Sequence, residues 1–267
     1  MRSWTAALVL GAALVLPGTG AAALLARLPL DEAERTFLRA RCDGEALCIA
    51  RVLVRRHPRR FRIEPAPPYD TDRIRWVVHV PSLGPVRRLA DGRLLVPLRR
   101  FGRTLWRELK AADLAGRRVV LDLRDNGGGD LRRALELAAR LLGPARARVV
   151  LHRSDAGRTV LSADRPAPIP AFRVTAVLIS GRTASSAEVL AALLRVAGAR
   201  LCGRPSFGKD RLEMVLPLPE GLRLRVALGR LVVPGRPRPG PLVPDGPLAA
   251  CGLVPGPPGE GGAGDHP

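Results

Sequence analysis

Lysine is nearly absent from this chain. Of its 44 cationic side chains only Lys110 and Lys209 are lysine, and the rest are arginine. Such a bias has a genomic origin and is not a binding signature. Aromatic residues are as sparse, with three Trp, one Tyr and five Phe in 267 residues, too few to supply stacking platforms for bases. The arginines lie along nearly the whole chain without forming one dense block, so the net charge of +20 speaks to nonspecific attraction and not to a nucleic-acid groove. There is no CxxC and no HExxH, and His57, His79, His152 and His266 stand singly, which excludes the usual metal signatures. A Walker loop is missing as well. Neither a cofactor nor a nucleic-acid partner is expected.

What is present begins with apolar material, which makes up 46% of the chain and suffices for a sizeable core. The first 30 residues read MRSWTAALVLGAALVLPGTGAAALLARLPL: an early Arg, an apolar run from Ala6 to Leu16, a break at Pro17 and Gly18, then small residues. This is the pattern of an export leader over residues 1–25. Apolar character resumes through Leu25, so an uncleaved anchor of about 20 residues is the competing reading, and the one route to a membrane. An exported chain permits disulfides among its four cysteines. Cys42 and Cys48 bracket a short loop and could pair locally, leaving Cys202 with Cys251, and buried free thiols are the alternative.

Residues 26–72 read as an N-terminal helical cap and linker. Helical spacing of apolar residues predicts two short helices between 31 and 56 around the Cys42 loop, and the Arg- and Pro-rich stretch RRHPRRFRIEPAPPYD predicts an exposed connection. A larger domain is expected over 73–253. RIRWVVHVPSL is β-rich, RRFGRTLWRELKAADLAG amphipathic, and RVVLDLR a short strand ending at a glycine cluster. DLRRALELAARLL predicts a helix, RARVVLH and FRVTAVLIS strands, and SSAEVLAALLRVAG another helix. Such alternation implies an α/β fold with a parallel sheet covered by helices. EMVLPLP and LRLRVALGRLVV add a β extension, and the Pro/Gly-rich tail 254–267 reads as disordered.

The chemistry lies between Ser180 and Glu213. Ser185, at a strand-to-helix junction, stands three residues before Glu188. That spacing is first of all a helix capping box. Capping and catalysis can share the location, because the start of a helix offers unpaired N–H groups and a positive dipole end to a developing oxyanion. Lys209 tips the balance. In a chain that otherwise uses arginine, a lysine asks for a reason specific to lysine: arginine cannot lose its proton in a protein, and lysine can. A Ser/His/Asp arrangement has no support, since no GxSxG turn or partnered histidine is present.

Three blocks in this region resemble the carboxy-terminal processing (tail-specific) serine peptidases. DLRDNGGG, from Asp122 to Gly129, resembles their DLRxNxGG signature, TASSAE their SASASE block, and GRPSFGK their GExTFGK block. The resemblance covers roughly residues 73–247. It implies a core related to the crotonase and Clp protease folds, a mixed sheet flanked by helices, with Ser185 as nucleophile and Lys209 as general base. It implies an oxyanion hole built from the N–H groups of Gly129 and Ser186, and a protein or peptide substrate.

The chain departs from that family in three places. Glu213 stands four residues after Lys209, where glutamine is usual, and residues four apart share a face. An ionised carboxylate there favours the ammonium form and weakens the base, which makes Glu213 the third candidate catalytic residue. The loop from Gly198 to Lys209 is one residue short. No PDZ module is legible, so residues 31–72 leave a minimal peptidase core. The first reading is therefore an exported serine endopeptidase, periplasmic or extracellular, with a weakly active peptidase-fold binding protein as the alternative. A basic surface protein that binds anionic lipid or nucleic acid would instead betray itself by steep salt dependence.

Overall fold

The computed structural model describes residues 20–66, 80–153, 157–163, 165–236 and 240–253. Residues 1–19 of the expected leader, most of RIRWVVHVPSL and the expected tail fall outside them. No described helix is long and apolar enough to cross a membrane.

Two β-sheets frame the molecule. The first runs β2 (Arg87–Arg88), β3 (Leu94–Pro97), β4 (Arg118–Asp122), β7 (Arg173–Ile179) and β8 (Arg200–Gly203) in that spatial order. From β3 to β8 it is parallel, as the strand-helix alternation requires. Period-two alternation divides its side chains between two faces. Val119, Leu121, Val177, Ile179 and Leu201 enter the main core, under α4 (Leu105–Ala111), α5 (Leu131–Leu142) and α6 (Ser186–Val196). Val120, Ala176, Leu178 and Cys202 face the other way, into a small cluster closed by Cys251 on the 3-10 turn Leu248–Cys251.

The second sheet is antiparallel and places β10 (Leu222–Val232) between β1 (Phe61–Pro65) and β9 (Arg211–Pro217), with β5 (Arg148–Arg153) and β6 (Arg158–Ser162) continuing it. β5 thus leaves the parallel sheet, although its sequence position between α5 and β7 suggested membership. The connection expected at RRHPRRFRIEPAPPYD is also corrected. Its FRIEP portion is strand β1, with Phe61 paired to Val226 and only 1% exposed. The alternation of Phe61 and Ile63 with Arg62 and Glu64 was masked by flanking arginines, and Pro65 stands at the strand end, where a missing N–H is tolerated.

The N-terminal helices cover this second sheet. The two helices expected between 31 and 56 are α2 (Glu32–Cys42) and α3 (Ala46–Arg56), and α1 (Ala21–Arg27) precedes them. Asp31 caps α2 by accepting the N–H of Glu34 at 2.7 Å, and Asp43 ends it in the left-handed region. Leu24, Leu28, Leu38, Ile49 and Leu53 bury against Phe61, Leu224 and Val226 in a second core. The Arg35 guanidinium binds the carbonyls of Leu25, Leu28 and Leu30, so the last residues of the expected leader segment are packed and hydrogen-bonded. Of the two options for the cysteines, pairing is what the structure contains: Cys42 with Cys48, and Cys202 with Cys251.

Candidate active site

The site forms where β4 and β7 deliver their carboxyl-end loops side by side, the usual place for function in a parallel sheet. Asn126, wholly buried, organises the first loop. Its amide donates to Leu98 O at 3.0 Å, its side-chain oxygen accepts the Gly128 N–H at 2.9 Å, and its backbone oxygen accepts the Ala184 N–H at 3.0 Å. From the second loop, Thr183 donates its hydroxyl to Leu123 O and Ser180 donates to Arg124 O. The two loops are thereby stitched along their length.

Ser185 follows, at the entry to α6, with φ 58° and ψ −125°. A left-handed serine costs on the order of 1–3 kcal/mol and persists only where its surroundings over-determine it. Here they do. The Ser185 N–H donates to a Glu188 carboxylate oxygen at 2.9 Å, and Gly128 packs so closely that a Cβ on it would lie 2.9 Å from the Ser185 Cβ and 2.9 Å from Ala184 O. Gly128 itself has φ 106°, so glycine is required there on both counts. The adjacent Gly129 has its carbonyl bound by the Ser186 hydroxyl at 2.9 Å. Among the described residues no acceptor takes the N–H of Gly129 or of Ser186, the two groups expected to bind an oxyanion.

Lys209 arrives from a different element, the loop between β8 and β9. The Phe207 N–H donates to Thr183 O, and the Lys209 N–H donates to Glu188 at 2.8 Å, so this loop lies against the start of α6. The side chain, 40% exposed, directs its Nζ to Glu213 Oε2 at 3.3 Å. Among the described residues no hydrogen bond joins Lys209 to Ser185. The face shared by residues 209 and 213 thus carries an ion pair. Beyond it the charges alternate: Arg225 binds Glu213 at 3.1 Å and Glu64 at 2.6 Å, and Arg223 also meets Glu64 at 2.6 Å. The hydrogen bond from Arg225 holds the Glu64 carboxyl below its ordinary range, against the opposing effect of its desolvation, and Glu64 in turn raises Arg225.

Two participants were not legible as such. Glu188 was visible only as a capping partner. It is 3% exposed and accepts, besides the Ser185 N–H, the N–H groups of Gly208 and Lys209 and the hydroxyl of Ser206. Burial lowers the Arg236 guanidinium, opposed by the Glu188 and Asp210 carboxylates nearby. Asn126 sat in plain view within DNGGGD, and only its total burial reveals its role.

Peptidase family S41 matches residues 100–237, just over half of the sequence, a span that holds Asn126, Ser185, Glu188, Lys209 and Glu213. The chain belongs to that family. Within S41 it is 33% identical over 118 residues to carboxyl-terminal-processing peptidase 2, chloroplastic, of Arabidopsis thaliana, a match that covers 43% of this chain and 22% of that protein. It is 31% identical over 121 residues to a carboxyl-terminal-processing protease of Picosynechococcus sp., covering 44% and 28%. The matched stretch therefore spans about a quarter of the length of these curated relatives. A lipoprotein from Streptococcus agalactiae superposes over 87% of this chain and 93% of its own, with a TM-score of 0.58 at 16% identity. That last likeness is one of fold.

Proposed function

We propose that this chain is a serine endopeptidase in which Ser185 attacks the scissile carbonyl and Lys209 removes its proton. The observation that carries the reading is the backbone of Ser185, held in the left-handed region at the first turn of a buried helix, with the lysine loop fastened to the same carboxylate. Membership of a peptidase family gives that strained serine a use.

The mechanism is acyl transfer. Lys209 in its neutral form accepts the Ser185 proton, the N–H groups of Gly129 and Ser186 receive the oxyanion, and the proton then passes to the leaving amine. Water releases the acyl-enzyme. Glu213 anchors the resting ammonium, and Lys209 has only to turn its exposed side chain from Glu213 to Ser185, since its backbone is fixed. The substrate is an unfolded or tail-presenting protein. Pairing of all four cysteines suits an oxidising compartment, which supports export through the apolar amino-terminal segment.

A second reading, a peptidase fold that binds without cutting, is favoured by the Lys209–Glu213 ion pair, which gives Lys209 Nζ a partner other than Ser185. Incubation of the purified chain with an unfolded protein separates the two. With Ser185→Ala and Lys209→Ala alongside, from neutral to alkaline pH, mass spectrometry should find cleavage by the parent alone. Glu213→Gln, which removes the ion-pair partner of Lys209 Nζ, should raise that activity. Products that persist in Ser185→Ala would remove the dyad, and none from any form would leave the binding reading.

A further inference from the structure

Glu188 does more than a helix cap needs. A cap requires one acceptor for the Ser185 N–H, and the second oxygen of a capping carboxylate ordinarily faces water. Here both oxygens are buried and doubly occupied. Oε2 accepts the N–H of Ser185 at 2.9 Å and of Lys209 at 2.8 Å, and Oε1 accepts the N–H of Gly208 at 2.7 Å and the hydroxyl of Ser206 at 2.5 Å. Three of the four donors belong to the lysine loop, about which a helix N-terminus has no stake.

We propose that Glu188 is a positioning residue, a clasp that sets the placement of Lys209 relative to Ser185. The inference rests on the dyad reading above and goes beyond it, because Glu188 touches neither substrate nor reacting atoms. One oxygen is shared between the backbone N–H groups of the two dyad residues, so nucleophile and base are referenced to a single atom. The clasp is itself braced: the Ser206 oxygen accepts the Leu242 N–H at 2.7 Å while its proton goes to Glu188, and the Ser206 N–H donates to Leu242 O. Leu242 thus ties the loop from the side opposite Glu188.

The residue type follows from the donor count. Four donors demand a group that only accepts, and an ionised carboxylate offers about four lone-pair sites. Glutamine would keep one oxygen and turn an NH₂ toward two donors. Aspartate is one methylene short of the loop. A buried carboxylate is tolerable because charge-assisted hydrogen bonds replace its water.

Glu188→Gln, Ser206→Ala, Ser185→Ala and Lys209→Ala are to be compared by peptide cleavage and by the rate at which a fluorophosphonate labels Ser185, with thermal unfolding as a check on folding. Since displacement of a catalytic group by about 1 Å costs about a hundredfold, Glu188→Gln should lower kcat by about that factor and leave KM within about threefold. Labelling should slow in parallel, and Ser206→Ala should lose about tenfold. If Ser185→Ala and Lys209→Ala are inert while Glu188→Gln keeps the parental kcat, or loses activity through KM alone, the clasp is wrong and the dyad stands. Should Glu188→Gln fail to fold, Ser206→Ala decides by the same criteria. Cleavage that survives in Ser185→Ala overturns the dyad, and the clasp with it.

Discussion

The two residues of the proposed dyad come from regions held together by different forces. Ser185 opens a helix of which nine of eleven residues are buried, on a parallel sheet covered on both faces. Lys209 precedes β9, which pairs only with β10 among the described strands and is dressed with ion pairs. Burial holds the helix that follows Ser185 and ion pairs line the strand that follows Lys209, while Glu188 bonds both backbones. The nucleophile region can therefore store backbone strain, while the base region keeps a side chain free enough to exchange partners.

The sharpest way to break this contrast is Lys209→Arg. Arginine retains the positive charge and a partner in Glu213 but cannot surrender a proton, so cleavage should vanish, by a factor of about a thousand or more. Stability measured by denaturant unfolding should move by less than about 0.5 kcal/mol, as for an exposed surface pair. The disulfides come next. Cys202 and Cys251 are 49 residues apart and Cys42 and Cys48 only six. On loop-closure entropy the first bridge contributes about 4 kcal/mol and the second about 2 kcal/mol. Calorimetry of the two paired Cys→Ala variants should preserve that order. Loss of the longer bridge should also depress activity, since it releases the segment that holds Ser206 through Leu242. The smallest effect belongs to Glu64→Gln. Its carboxyl is depressed by Arg225, so its contribution is present above the unfolded value, near 4.5, and is lost as pH falls through the folded one. Variant and parent should differ by under about 1 kcal/mol at neutral pH, and the gap should close as pH falls below 4.5 and through the lowered folded value.

What could be read in advance follows the same division. The parallel sheet and its helices were legible because apolar periodicity reports burial, and in β4, β7 and α6 burial is what forms the element. Period two does not name a partner, so β5 was read as a strand without its place in the other sheet. β1 was lost among arginines. At the site, Ser185 and Lys209 could be singled out by residue type and spacing, and Gly129 and Glu213 through the resemblance to the processing peptidases. Glu188 and Asn126 could not, because their roles consist of hydrogen bonds to backbone groups 20 to 60 positions away or brought close only by the fold. A capping spacing at 185 and 188 looks the same whether the carboxylate has one donor or four.

The pairing of β1 with β10 has a bearing on synthesis. Glu64 and Arg225, neighbours in that ladder, are 161 residues apart in sequence. A chain that emerges amino end first presents its three helices long before the strand that completes their core exists, and the apolar faces of Leu38, Ile49 and Leu53 must wait in the open. The Cys42–Cys48 bridge needs only its own hairpin and can close early. The Cys202–Cys251 bridge must wait until residue 251 has been made, after β10 is complete.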